Sequence, residues 1–164
     1  MSQLIFQATL GGAVNMIGPN TASTYDLNVP AVSDTLVART TTDTLSNKTL
    51  TNPTVTSYIE SVVAIGTVTT LSTLSLTNGT VQTATLTAST ACTFTMPTAT
   101  AGKSFILLLK QAASTGNGTA TFTSVKWNGL GTPTMTATAG KMDIFSFVSD
   151  GTNWYGSASQ GYTP

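Results

Sequence analysis

Six carboxylates, one thiol and no imidazole are the groups from which this 164-residue chain could build a reactive site. Without histidine it lacks the commonest general base, the commonest zinc ligand and the usual serine or cysteine triads. Asp26, Asp34, Asp43 and Glu60 lie in the first part, and Asp143 and Asp150 near the end. Glycoside hydrolysis needs two carboxyl groups flanking the scissile bond, and Asp143 with Asp150 are the pair that a hairpin could bring together. Simpler roles are open to both: Asp150-Gly151 is a common turn pair, and Asp143 begins an apolar run close to Lys141. Gly102-Lys103-Ser104 ends like a phosphate loop, but the position five residues before Gly102 is Pro97 and a strand-like run follows in place of a helix. Cys92 cannot form an internal disulfide and reads as a small buried hydrophobe. The sequence therefore assigns no catalytic residue, no metal ligand and no cofactor, and the expectation is a protein that is not an enzyme.

Binding is the chemistry that remains. Trp127, Trp154, Tyr155 and Tyr162 cluster late in the chain. Aromatic faces stack on sugars and anchor protein interfaces, so these four are the candidate contacts for a glycan or a partner. Core filling is the competing role for Trp127 and Trp154, whereas Tyr162, in the Gly-rich tail 156–164, is expected to be exposed or to dock on a neighbour. Nucleic acid is not expected as a partner, because six scattered cations form no patch in the sequence. Membrane insertion is not expected either: no apolar run approaches 18 residues, and Met1-Ser2-Gln3 lacks a basic leader.

Composition says which elements must carry these groups. Only 7% of residues are charged and the formal net charge is zero, against about 25% charged in ordinary soluble proteins. Thr supplies roughly a fifth of the chain, and its β-branched, polar side chain suits the exposed face of a sheet. Good helix formers are scarce, with Glu60 the single glutamate. The expectation is an all-β protein with little or no helix. Ser104-Phe105-Ile106-Leu107-Leu108-Leu109-Lys110 is the least interrupted apolar run, bounded by turn-forming clusters on both sides. It predicts a central strand, buried on both faces or covered on one by a partner subunit.

Three regions follow from the patterning. Residues 1–40 read as a stranded arm, with strands over 4–10, 13–17, 24–29 and 35–39 and too few large apolar residues for a core of its own. Leu4, Phe6, Leu10, Tyr25 and Leu27 are its candidate contacts to a partner protein or to another subunit. Residues 41–54 read as an extended connector in which Leu45 and Leu50 could plug shallow pockets. Residues 55–164 show regular alternation, with strands predicted over 55–59, 62–68, 71–76, 81–86, 92–96, 105–109, 120–123, 133–137, 142–148 and 153–155. Asn78-Gly79 would serve a tight hairpin, and strands at this spacing without helices predict an antiparallel β-sandwich or jelly-roll knob.

Two stretches resemble bacteriophage virion surface proteins. Thr44-Leu45-Ser46-Asn47-Lys48-Thr49-Leu50-Thr51-Asn52-Pro53 resembles a connector common in tail fibres and other phage appendages, where it joins an attachment part to a distal β-domain. Over residues 80–155, Ala101-Gly102-Lys103-Ser104, Val125-Lys126-Trp127, Ala139-Gly140-Lys141-Met142-Asp143-Ile144 and Asp150-Gly151-Thr152-Asn153-Trp154-Tyr155-Gly156 occur in an order similar to that of small β-sandwich domains in phage structural proteins. The resemblance implies a capsid decoration or cement protein on the virion surface, assembled in the bacterial cytoplasm and displayed as a homotrimer. Its partners would be itself and the major capsid protein or another virion protein. The alternative is a short tail or head fibre that binds a host receptor or surface glycan. The brevity of the arm favours decoration.

Overall fold

The computed structural model describes residues 5–7, 10, 13–15, 22, 24, 44–46, 48–129 and 131–164. No helix occurs among them, and the protein is all-β. The chain forms two compact units, Met1–Asn52 and Pro53–Pro164. In the first, β1 (Ile5–Gln7) and β2 (Ala13–Asn15) pair antiparallel with Phe6 beside Val14, inside two of the expected strands. Residues 25–29 and 35–39, where two more are predicted, lie outside the described residues, as do Leu4, Tyr25 and Leu27. The described part of the connector has no regular structure and is exposed.

The second unit winds rather than folding back. Strands β3 (Val62–Val68), β5 (Val81–Leu86) and β7 (Ser104–Lys110) lie parallel in one sheet, and β4 (Leu71–Thr73), β6 (Ala91–Thr95) and β8 (Thr119–Phe122) lie parallel in a second. The chain alternates between the sheets, so β3–β4, β5–β6 and β7–β8 are three coils of a two-sheeted β-solenoid. Past the third coil the direction reverses. β10 (Met142–Ser149) runs antiparallel to β7, β11 (Trp154–Tyr162) runs antiparallel to β10, and β9 (Val125–Lys126) joins β11 in parallel. The larger sheet has the order β3-β5-β7-β10-β11-β9 and the smaller the order β4-β6-β8.

The antiparallel sandwich or jelly roll predicted from the sequence is therefore wrong. Alternation of apolar and polar residues places side chains identically in a sandwich and in a solenoid, so it fixes which face is buried and not which strand is the neighbour. A parallel return needs a connection of a dozen or more residues; here the intervening strand of the other sheet supplies it. Asn78-Gly79 accordingly forms a corner between sheets and no hairpin, with β4 and β5 in different sheets. The coils are also unequal: Val62 stands beside Val81, and Val81 beside Ile106. That inequality hides the repeat that would betray a solenoid.

Three further expectations are corrected. Residues 55–59 and 133–137 are not strands. The tail, in contrast, is part of β11, which runs from Trp154 to Tyr162. Its Gly and Ser residues have weak strand propensity, and pairing with β10 supplies what propensity does not.

Between the sheets the inward side chains stack coil upon coil. Cys92 pairs with Ala120 and Phe94 with Phe122, whose rings stack at 5.2 Å. Phe105 and Phe147 stack at 4.7 Å across β7 and β10. Leu86, Leu107, Leu109 and Phe145 are fully buried around them, each such side chain contributing about 1.5–3 kcal/mol. Two buried amides tie loops to this core. Gln111 donates to the Gly118 and Thr136 carbonyls at 2.8 Å and accepts from the Gly118 N–H at 2.9 Å, which satisfies the whole group. Gln82 donates to the Ser75 carbonyl at 2.6 Å.

Candidate binding surface

The late aromatics separate into three environments. Trp154 is 2% exposed: it begins β11 pointing inward, meets Phe105 edge to face at 5.2 Å, and donates its indole N–H to the Pro97 carbonyl at 2.8 Å. It is a core residue, unable to meet a ligand. Trp127, just past β9, is half-buried and lies edge-on to Phe122, Phe145 and Phe147. Gly156 makes room for it, since a Cβ there would stand 2.6 Å from Trp127 Cζ3. Tyr155 and Tyr162 are exposed on the outer side of β11.

Over Trp127 opens a depression of about 360 Å³, bordered by Asn128, Thr132, Thr134, Ser157 and Gln160. No charged residue lines it. An indole among hydroxyls and amides suits a neutral, hydroxylated ligand, because apolar ring surface and hydrogen-bonding groups meet there without a charge. Of the sequence-selected residues only Trp127 reaches this place. Thr134, Ser157 and Gln160 are not legible as rim residues in the sequence, because 133–137 reads as a strand and 156–164 as a tail, and only the fold brings Gln160 to the Thr134 carbonyl.

A buried carboxylate holds one side of that rim in position. Asp143 is fully buried; one oxygen accepts from the Thr136 N–H at 2.8 Å and from Gln160 Nε2 at 3.2 Å, the other from the Gly161 N–H at 2.9 Å. The β10–β11 register shifts here, between the Met142–Tyr162 and Ile144–Ser159 pairs, and Gly161 has φ +81°. The carboxylate thus fills a β-bulge and pins both β11 and the 133–137 segment.

Asp150 is committed to its turn. Its carboxylate accepts from the Asn153 N–H at 2.7 Å, the Thr152 N–H at 2.8 Å and the Tyr155 hydroxyl at 2.9 Å. Those bonds, the two backbone donors first, pull its pKa down to about 2. The Tyr155 hydroxyl is shifted up by the same bond and by the neighbouring charge. Among the described residues no group of three or more Cys, Asp or Glu is placed to hold a metal. Gly102-Lys103-Ser104 leads into β7, with the Gly102 N–H donating to Ser149 and the Lys103 N–H to Thr100, so neither amide points to a phosphate.

The central apolar run is a central strand, between β5 and β10, as expected. It is buried on one face only. Phe105, Leu107 and Leu109 point inward, while Ile106 is 40% exposed on the outer face, where Val62, Val148 and Tyr155 are also exposed. Among the arm and connector candidates, Leu10, Leu45 and Leu50 are exposed, and Phe6 lies in β1. Among the described residues no helix is long and apolar enough to cross a membrane. In comparisons with known proteins, the chain matches no family model, no curated protein and no solved structure.

Proposed function

We propose that this chain is a non-enzymatic structural protein of a bacteriophage particle, a capsid decoration or cement protein displayed on the surface as a homotrimer. The observation that carries the reading is the connector. The stretch from Thr44 to Pro53 resembles phage appendage connectors, and its Leu45 and Leu50 side chains are exposed, available to seat in a neighbouring protein. It leads into a β-solenoid unit with few charges, a Thr-rich surface and apolar side chains left on the outer sheet face. Low charge favours permanent association over solubility as a free monomer. The role is adhesive: the arm and connector attach to the major capsid protein or another virion protein, and the solenoid faces outward. The carboxylates best suited to chemistry, Asp143 and Asp150, hold a bulge and a turn, which supports a role without catalysis.

The depression over Trp127 favours a second reading, a short fibre that binds a host glycan through a neutral, hydroxyl-lined site. The copy number of the protein per purified particle, by quantitative mass spectrometry against the major capsid protein, separates the two. Hundreds of copies are expected for decoration; a few to a few tens would make receptor binding the function, and absence from particles would end both readings.

A further inference from the structure

We propose that residues 55–59 form a β-strand on the open edge of β3 in a neighbouring copy, so that the solenoid units associate by exchanging strands. The inference rests on the multimeric reading above and deepens it by naming the contact.

The first observation is an unfinished end. β3 has β5 on one side and no strand on the other among the described residues, and β4 has only β6. In the larger sheet the opposite end continues past β7 into β10 and β11, whereas in the smaller sheet β8, like β4, has only β6. A solenoid coil buries its faces only against its neighbours, so a terminal coil without a cap leaves backbone donors and acceptors free for another chain. Lysine and proline, which blunt natural edges, are absent from β3, and its Val62 is 63% exposed. A bulge between Ala64 and Gly66 interrupts the edge, so the usable part is Val62 to Ala64.

The second observation is a strand without a partner. Val55-Thr56-Ser57-Tyr58-Ile59 is β-branched or aromatic at four of its five positions, the composition of a strand. Yet it pairs with nothing among the described residues, Ser57 sits at φ +55°, and Ile59 is 95% exposed. Leaving such a segment in water forfeits its apolar burial and keeps Ser57 in a backbone region unfavourable to residues other than Gly and Asn.

Its own β3 is a poor partner. Only Glu60 and Ser61 separate the segment from Val62, and a two-residue hairpin needs φ > 0 at positions that Gly, Asn or Asp fill. Glu60 instead accepts a hydrogen bond from the Thr80 hydroxyl, and the Ser61 carbonyl lies against Gly79, where a Cβ would collide. Both contacts tie residues 60–61 to the start of β5, and neither residue has the positive φ that a two-residue hairpin requires. The edge and the segment are each unpaired within one copy and complement each other between copies. Handing the segment from each copy to the next around a three-fold ring closes the proposed trimer.

Hydrogen exchange on the intact protein, at assembled and at diluted concentrations, tests this. The amides of residues 55–59 and 62–64 should exchange at least about tenfold more slowly in the assembly than after dilution. Thr56→Pro and Ile59→Pro remove donors of opposite parity along the strand, so at least one should weaken assembly by tenfold or more while tryptophan fluorescence shows the solenoid folded. An assembly in which 55–59 exchanges at unprotected rates overturns the proposal and leaves the multimer standing on another surface. Protection that survives dilution to monomers overturns it by placing the partner within the same chain. A folded monomer at micromolar concentration removes both the proposal and the multimer.

Discussion

The first and last coils of the solenoid obey the same alternation and end differently. The last is sealed: β7 is followed by β10 and β11, aromatic rings lie in contact from Phe105 to Phe147 and from Phe122 to Trp127, and buried Asp143 locks the final strand at its bulge. The first is open: β3 has a strand on one side only among the described residues, and Val68 is its one buried residue. In a stacked architecture stability comes from having a neighbour on each side. The contrast therefore separates the part that holds the unit together from the part kept available for contact.

The harshest way to probe that contrast is truncation at both ends. Phe147→Ala, fully inside the sealed end, should cost about 3–5 kcal/mol in urea unfolding, whereas Leu71→Ala should stay within about 0.5 kcal/mol. Equal costs would mean that Leu71 is covered in the folded protein. Asp143→Ala comes next. It strands the Thr136 and Gly161 amides, and a loss of about 2–3 kcal/mol is expected, with faster hydrogen exchange confined to 133–137 and the end of β11. Smaller again is Gly156→Ala, whose methyl group would press on the Trp127 ring; about 1–3 kcal/mol should be lost, together with a shift in tryptophan emission. Unchanged emission would mean that the ring does not rest on β11.

The mildest test is a titration. Asp150 has its pKa lowered from 3.8 to about 2, so its charged form is favoured by folding. That contribution is present in full above pH 4 and disappears as the pH falls through about 2. Melting temperatures of the protein and of Asp150→Asn should therefore differ at pH 5–7 and converge toward pH 2. A constant difference would show that the hydrogen-bonding geometry of the turn matters and the charge does not.

What could be read from the sequence was local. The bounds of Val81–Leu86 and the centrality of Ser104–Lys110 follow from alternation and from flanking turns, whereas residue type left Trp154 open to a binding or a core role, and only its inward place on β11 decides for the core. The winding could not be read, because a hairpin and a coil corner use the same Asn-Gly and Gly-rich signals, and the pairing partner is set by shape over the whole unit. Tyr162 was assigned to a tail because Gly156, Ser157, Ser159 and Gly161 resemble a linker in composition; only the paired β10 makes them a strand. Residues 55–59 fail in the other direction, with the composition of a strand and no ladder within the described chain.

Cys92 offers a last use of the coiled architecture. It is the chain's single thiol, it lies in the second coil between the first and the third, and burial raises its pKa above the ordinary value. A thiol so placed is inert to alkylation until the coils part. The molecule thus carries its own stopwatch: the rate at which a thiol reagent consumes Cys92 in the unaltered protein measures how often the stack opens at its middle.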